Sequence, residues 1–501
     1  MVKALELLYL LIATALALYG LNALWLTWLS WRHRDETPRQ PQPQDWPHVT
    51  VQLPLFNEVL VVNRLLDAVA RLDYPRDRLQ ILILDDSTDE TTELAAQRVA
   101  ELRQEGLDVQ LLHRADRAGF KAGALAEALP HTQGEIIVIF DADFVPRRDY
   151  LRRVIPYFLE DPRLGCVQTR WGHLNGGHSL LTRSQTLALD GHFTIEQTAR
   201  NRAGLFMSFN GTAGAWRKVC IEASGGWSAD TLCEDLDLSY RAQIGGWRFL
   251  FLPEVVAPAE LPAQMAAFKR QQFRWAKGSI QCLIKLGGAV ARAPVRGAAR
   301  IEGLLHLSGY LVHPLMLLLL LVSLPLLLKE GRIPWPFACL SLASLGPPLL
   351  YGRSQWILHP SPHLWWQRYR DLPALMALGV GISWNNTLAV AEALLRRETP
   401  FRRTPKFNLA GRGGDWAGSR YALRPHGVAL GEPLLGLYAT AVVAAAAHTG
   451  NWLATPFFAL YACGFFYVAL HDWVTFRRSQ QLHPTQRPTQ PPPRPSKKPV
   501  F

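Results

Sequence analysis

Two carboxylates one residue apart, Asp141 and Asp143, close the stretch Glu135-Ile-Ile-Val-Ile-Phe-Asp-Ala-Asp-Phe-Val-Pro146. The β-branched and apolar run before them reads as a strand buried on both faces, as in a parallel sheet, and Pro146 stops it. In open α/β sheets ligands collect at the carboxyl ends of strands. Two hard oxygen donors at this spacing can share one divalent cation, Mg2+ or Mn2+, whose other ligands are phosphate oxygens and water. An isolated pair of this kind is ordinarily a strand ending in solvated turn acids. What changes the reading is the set of motifs that accompanies it.

A second acid pair, Asp85 and Asp86, ends the apolar run from Leu79 to Leu84. Arg117-Ala-Gly-Phe-Lys121-Ala-Gly123 supplies cations and small residues that let backbone approach a phosphate. Thr231-Leu-Cys-Glu234-Asp235-Leu-Asp237 is an acid cluster opening a helical pattern, and Gln271-Gln-Phe-Arg274-Trp275 sets a guanidinium beside an aromatic ring. Each alone is weak, because charge clusters are usually solvated faces. Their order along the chain carries the information.

The elements that must position these residues alternate. Strands are expected at Val49–Pro54, Leu79–Leu84, Val109–His113 and Ile136–Phe140. Helices are expected from Phe56 to about Leu72, Glu90 to about Glu105, and Ala122 to Leu129. That alternation predicts an α/β fold, a doubly wound and mostly parallel sheet of nucleotide-binding type with helices on both faces. No Walker-type or G-x-G-x-x-G loop succeeds the first strand, which argues against a P-loop enzyme or a dinucleotide dehydrogenase.

The 501 residues are 49% hydrophobic and carry a formal net charge of +12. Residues 45–300 are mixed and charged, whereas 1–31 and 301–475 hold long Leu/Ala-rich runs, so a soluble domain between membrane segments is expected. The six Cys form no C-x-x-C pair and read as reduced. Leu5–Leu29 is long enough to cross a bilayer core of about 30 Å. Trp25, Trp28 and Trp31, then Arg32 and Arg34, place the chain beyond residue 31 in the cytoplasm by the positive-inside rule.

The expected organisation is a transmembrane helix at 1–31, a Pro/Gln-rich linker at 32–47, and the catalytic domain at 48–260. Next come amphipathic interfacial helices at 261–300 and a transmembrane hairpin at 301–358, its limbs Leu304–Leu328 and Trp335–Tyr351. A cytosolic or interfacial segment at 359–427 contains Leu372–Leu395, whose polar middle (Ser383-Trp-Asn-Asn-Thr387) is read as lying in the interface. A second hairpin at 428–476 and a disordered, basic, Pro-rich tail at 477–501 complete it. This gives about five spans with the catalytic domain and C-terminus cytoplasmic, in the plasma membrane of a bacterium.

The ordered series Asp86, Asp141-x-Asp143, Glu234-Asp235 and Gln271-x-x-Arg274-Trp275 resembles the signature of glycosyltransferase family 2. It is most similar to the membrane-embedded processive branch of cellulose, mannan, chitin and hyaluronan synthases. Leu53-Pro54-Leu-Phe56-Asn57-Glu58 resembles that family's P-x-Y-N-E start, with Phe56 for Tyr, and Lys121-Ala-Gly123 its K-A-G-N stretch. Phe209-Asn210-Gly211-Thr212 stands where cellulose synthases carry a Cys-containing acceptor motif. Phe401-x-x-Thr404-x-Lys406 resembles their F-x-V-T-x-K gating loop, with Arg403 where Val is usual.

The resemblance implies a GT-A-type domain that transfers a sugar from a nucleotide-diphosphate donor, of the UDP-glucose or GDP-mannose kind. It further implies inversion and a growing β-linked polysaccharide passed through the protein's own membrane helices. Asp141 and Asp143 would hold Mg2+ or Mn2+. Arg274 would contact the diphosphate, and Asp235 beside Glu234 would be the base. The donor would be bound by Pro54, Phe56, Glu58, Asp85, Asp86, Lys121, Asp141, Gln271, Arg274, Thr404 and Lys406. The acceptor would be bound by Trp275, Asn210, Gly211 and Thr212. Lipid glycosyltransferases, such as those making glucosyl-diacylglycerol or glycosphingolipid, share these motifs and form the alternative. A glycan-export channel with a vestigial transferase domain is disfavoured by the intact acids. Expected partners are the nucleotide sugar, a polysaccharide or lipid acceptor and membrane lipids, with no nucleic acid and no partner subunit.

Overall fold

The structure, a computed structural model, describes residues 2–36, 38–42, 45–330, 340, 342–423 and 430–482. Its centre is a seven-stranded sheet in the order β3-β2-β1-β4-β6-β5-β7. β1 (Val49–Leu55), β2 (Leu79–Asp85), β3 (Asp108–His113) and β4 (Ile136–Ile139) pair in parallel. β6 (Gly214–Arg217) runs antiparallel between β4 and β5 (Leu164–His173), and β7 (Arg248–Ala259) lies parallel to β5.

The period-2 side-chain alternation of a strand divides the core into two layers. Ile136, Val138 and Phe140 join Val51 and Leu53 against α2 (Val62–Ala70), whose Val62, Leu65, Leu66 and Val69 are buried. Ile137 and Ile139 join Leu82 and Leu84 against α4 (Phe120–Ala128) on the other face. α3 (Thr91–Gln104) covers the β2–β3 edge. β4 is buried on both faces, as its continuous apolar sequence requires, while β1 buries Thr50 and Gln52 by hydrogen bonds to Gln80 and Thr132.

Two expectations shift here. The helix expected from Phe56 starts at Val62. Asn57 adopts a left-handed backbone (φ 55°), and the N–H groups of Asn57 and Glu58 donate to Ser87 Oγ and Thr91 Oγ1 instead of entering a helix. The sheet also continues past β4 through β5, β6 and β7. Pro253 is accommodated because the β5–β7 register jumps from Thr169↔Leu252 to Arg170↔Val256, looping out the residues between.

Beyond the sheet, α5 (Leu180–Gly191) runs into a π-helical turn at His192–Gln197. α6 (Glu234–Ile244) comes after β6, and α7 (Met265–Arg292) carries Gln271–Trp275. Among the described residues, three helices are long and apolar enough to cross a membrane, at Lys3–Arg32, Gly309–Lys329 and Thr455–Thr475. They belong to α1 (Val2–Arg32), α9 (Val312–Glu330) and α14 (Thr455–Leu482).

The limb expected at Leu304–Leu328 is interrupted. α8 (Gly297–Leu307) ends at Ser308, and a 3₁₀ turn precedes α9. Of the second limb, Trp335–Tyr351, residues 335–339 and 341 lie outside the described residues. α10 (Gly346–Leu358) crosses α1 so closely that a Cβ on Gly346 would overlap the carbonyl of Gly20, the close approach that small residues permit in membranes.

Leu372–Leu395 is not one interfacial helix. It divides into α11 (Leu372–Gly381) and α12 (Ser383–Leu394), and the helical stretch Pro362–Gly381 meets α12 at a bend of 40°. Gly381 of α11 packs on Gly464 of α14 backbone to backbone, which ties α11 to a candidate span. α13 (Gly431–His448) and α14 share an apolar core with α9.

Candidate active site

The carboxyl ends of β1, β2 and β4 open into one cleft, which α6, α7 and the segment 401–409 complete. Most of the expected site residues line it: Pro54, Phe56, Glu58, Asp86, Lys121, Asp141, Asp143, Asn210, Gly211, Glu234, Asp235, Gln271, Arg274, Trp275, Thr404 and Lys406. Sequence distance is no guide to this proximity, because the parallel topology sends each strand's carboxyl end to the same edge.

Each of the paired acids meets a lysine. Lys121 Nζ lies 2.6 Å from Asp141 Oδ1 and donates to the carbonyl of Gly211 at 2.8 Å. Lys406 Nζ lies 2.7 Å from Asp143 Oδ2. Burial opposes the charge of both lysines, but Asp141 and Asp143 outweigh it and hold both ammonium groups above their ordinary pKa. Thr212, expected to contact the acceptor, turns away from the cleft. Its hydroxyl accepts from the Asp141 N–H at 2.8 Å and so fixes the start of the acid pair.

At the other end, Arg117 stacks on Phe56 with its guanidinium carbon 3.4 Å from the ring centroid, and on Phe120 at 5.0 Å. Asp86 is gripped by Arg114, Nε to Oδ1 at 2.7 Å and Nη2 to Oδ2 at 2.6 Å. Asp85 does not join the site. It is fully buried behind the loop, accepting from Thr92 Oγ1 at 2.6 Å and the Ser87 N–H at 3.1 Å, and contacting His113 Nδ1 at 2.8 Å. Of two adjacent strand-end acids, one braces the turn and the other borders the cleft.

Asp235 stands in the first turn of α6. Burial, then the neighbouring Glu234 carboxylate, raise its pKa well above the usual aspartate range, against the pull of Lys121 and Arg274. Gly211 explains how the backbone passes so near: its φ is +81°, and a Cβ there would sit 2.8 Å from Asp235 Oδ2. A perturbed carboxylate beside a divalent-type acid pair has the properties of a general base.

The segment 401–409 closes the cleft. Phe401 stacks on Phe120 at 5.7 Å, with the Arg274 guanidinium 4.8 Å from its centroid. Arg403, which stands where Val is usual in the resembling loop, pairs with Glu58 at 2.8 Å. Burial pushes Glu58 up to about 7 even so, Arg403 opposing. Glu260, at the end of β7, accepts from the N–H groups of Phe407 at 2.7 Å and Leu409 at 3.1 Å.

Arg114 and Glu260 went unread in the sequence. Neither has a spacing signal, since each acts through a partner distant along the chain. For a divalent cation, Asp141 and Asp143 are chemically suitable donors, and no cluster of three or more His, Cys, Asp or Glu among the described residues offers a protein-only cage. Each of the two carboxylates carries a lysine partner here, Lys121 on Asp141 and Lys406 on Asp143.

Known proteins are similar to the part of the chain that holds this cleft. Residues 47–278 match the family model described as "Glycosyltransferase like family 2". The chain is 42% identical over 255 residues to glucomannan 4-beta-mannosyltransferase 2 of Arabidopsis thaliana, covering 50% of this chain and 47% of that relative. It is 40% identical over 248 residues to glucomannan 4-beta-mannosyltransferase 1 of Oryza sativa subsp. japonica, covering 48% and 47%. Among solved structures, the mannosyltransferase PcManGT from Pyrobaculum calidifontis, in complex with GDP-Man and Mn2+, superposes with a TM-score of 0.52. It is 25% identical and covers 79% of this chain and 100% of that one. Residues 47–278 thus carry a domain of the glycosyltransferase family 2 type, and the chain is similar to mannosyltransferases of the cellulose- and mannan-synthase-like branch. It spans about half the length of the curated relatives it matches.

Proposed function

We propose that the chain transfers a hexosyl residue from a nucleoside-diphosphate donor to a growing β-linked polysaccharide, with inversion at the anomeric carbon. The observation that carries this reading is the single cleft in which the Asp141/Asp143 pair, the Arg274 cation and the raised-pKa carboxylate of Asp235 converge. The similarity to glucomannan 4-beta-mannosyltransferases favours mannose as the sugar and a 4-linked β-mannan type of product, and the bound GDP-Man of the Pyrobaculum calidifontis structure favours a guanosine donor.

In this reading Asp141 and Asp143 hold Mg2+ or Mn2+, which supplies charge neutralisation for the leaving diphosphate. Arg274 adds a planar, charge-assisted contact to the same phosphates. Phe56 and Arg117 form the flat wall for the nucleobase, and Asp86, fixed by Arg114, faces the ribose. Asp235 takes the proton from the acceptor hydroxyl, while Trp275 offers the acceptor ring an apolar face. With Asp235 as the one base, the resemblance to family 2 enzymes implies a single displacement. The domain sits on the cytoplasmic side, the residues after Arg32 being retained by positive charge, and the product leaves between the membrane helices.

The test is to supply the purified full-length chain with labelled GDP-mannose and, separately, UDP-glucose. Linkage and length of the product are then read. Long β-linked mannan from GDP-mannose supports the reading, whereas a single sugar on a lipid sinks the polysaccharide assignment.

A further inference from the structure

The cleft has a polar wall that the transfer reading does not use. β5 delivers Trp171 and His173, two residues apart on one strand, to the cleft. The His173 side chain is 9% exposed, and its Nε2 lies 3.0 Å from Asp190 Oδ1 on α5. The other Asp190 oxygen accepts from the amide of Gln355 on α10 at 3.0 Å. Burial works to raise the Asp190 pKa, but His173, Gln355 and Arg170 together prevail and hold it below the ordinary carboxylate value. An ionised carboxylate only accepts, so Nε2 carries a proton directed at Asp190. Nδ1 is left buried and without a partner among the described residues. The indole N–H of Trp171 is likewise a buried donor without a partner there. Buried polar atoms in that state call for an explanation.

The neighbouring polar group on this side is fixed in the same manner. Asn210 Oδ1 accepts from Gln197 at 2.7 Å, and its Nδ2 lies 3.0 Å from His192 Nε2. Both partners lie in the π-helical turn that continues α5. Helix α5 and this turn therefore hold two cleft-lining polar side chains from behind. An aromatic ring beside a rigid lone acceptor matches a pyranose, whose C–H face is apolar and whose rim is made of hydroxyl donors.

We propose that His173 is a specificity-determining residue whose Nδ1 accepts a hydrogen bond from one hydroxyl of a hexosyl ring being joined, with Asp190 as its positioning residue. This rests on the glycosyl-transfer reading above. The ring belongs either to the donor sugar or to the acceptor terminus, and the two are separated by the test.

Kinetics of the full-length chain are measured with GDP-mannose and a mannooligosaccharide acceptor, and then with the complete set of monodeoxy analogues of each. For wild type, removal of one hydroxyl is expected to lower kcat/KM by at least about tenfold, the effect of leaving one buried acceptor unpaired. His173→Phe should lower kcat/KM for the parent substrate and abolish that one preference, using parent and deoxy compound equally. His173→Asn, whose amide reaches the place of Nδ1, should restore part of it, and Asp190→Asn should weaken the same preference and no other. Unchanged GDP binding by calorimetry shows that the variants are folded. A sensitive position in the donor series assigns the donor ring, and one in the acceptor series assigns the acceptor. If His173→Phe and His173→Asn keep the wild-type ranking of both series, the assignment is wrong while the transfer reading stands. A wild-type chain that joins no hexosyl units overturns the transfer reading and this assignment with it.

Discussion

Lys406 and Asp143 are separated by 263 positions in the chain, yet the Lys406 ammonium rests 2.7 Å from Asp143 Oδ2. The contact sets a residue of the strap, the segment 401–409, where a cation bound by the acid pair would share the carboxylate. Two left-handed residues that are not glycine, Arg396 (φ 52°) ahead of the strap and Asn408 (φ 61°) within it, mark its course, and Glu260 fastens its far end. Backbone held in sparsely populated regions is a mark of segments that switch. A strap that leaves Asp143 for the donor's phosphates would complete the site only while donor is present.

Lys406→Met is therefore expected to raise Mn2+ affinity in the absence of nucleotide by about tenfold, roughly 1.4 kcal/mol, because the competing cation is gone. Turnover should fall severely in the same variant, with only modest loss of donor affinity. Paramagnetic titration of Mn2+ and initial rates check the two halves. Metal affinity equal to wild type would mean that lysine and metal do not share Asp143.

Arg403→Val restores the residue usual in the resembling loop and removes the partner of Glu58. The Glu58 pKa in the fold, about 7, lies above its ordinary value of about 4.3. Its contribution to stability is thus fully present below that ordinary value and is lost as pH rises through 7. Removing Arg403 takes away an opposing charge and moves the loss further up in pH. The strap of Arg403→Val should resist limited proteolysis as well as wild type near pH 6 but be cut faster at pH 8. Equal cutting at both pH values would show that the Glu58 contact does not hold the strap.

Asp235→Asn should reduce turnover by about 10²–10⁴ and leave GDP binding intact, since the proposed base meets acceptor rather than diphosphate. Burial and Glu234 raise the Asp235 pKa, so the rate should rise with pH along a limb well above the ordinary aspartate value of about 3.9. Because Asp235 and Glu234 interact, that limb reports the pair. Nucleotide affinity lost in parallel with activity would move Asp235 to the donor side.

The reach of sequence reasoning was set by physical range. β2 and β4 were legible because they are buried along their whole length and read as nearly unbroken apolar runs. β6 is four residues beginning with glycine, and β7 carries two prolines, so neither shows a strand pattern without its partners. The acids, Arg274 and the strap were legible through ordered motifs. The assignments of Asp85 and Thr212 to the site failed for a local reason: both sit beside the chemistry, but their polar atoms are consumed by neighbouring backbone and hydroxyl groups. Arg114 on Asp86, Glu260 under the strap and Asp190 behind His173 are all side-chain pairings across elements. No periodicity encodes those. The break at Ile382 was hidden because both halves of Leu372–Leu395 are helical and apolar enough to be read as one.

Gly211 provides the sharpest geometric test of the site. Its φ of +81° is one that L side chains rarely adopt, and a Cβ would lie 2.8 Å from Asp235 Oδ2 and 3.7 Å from Lys121 Nζ. Gly211→Ala therefore strains the backbone by about 1 kcal/mol or more and pushes on the carboxylate proposed to take the acceptor's proton. The nucleobase wall at Phe56 and Arg117 and the Arg274 cation are carried by other elements, so donor binding should change little. The displacement of Asp235 should dominate: a shift of about 1 Å at a reacting group costs on the order of 10² in rate. The expected result is turnover reduced about a hundredfold with GDP affinity near wild type and a small fall in thermal midpoint. Turnover that tracks the midpoint alone, recovering fully when assayed at lower temperature, would mean that the glycine serves folding and that Asp235 does not need its close approach.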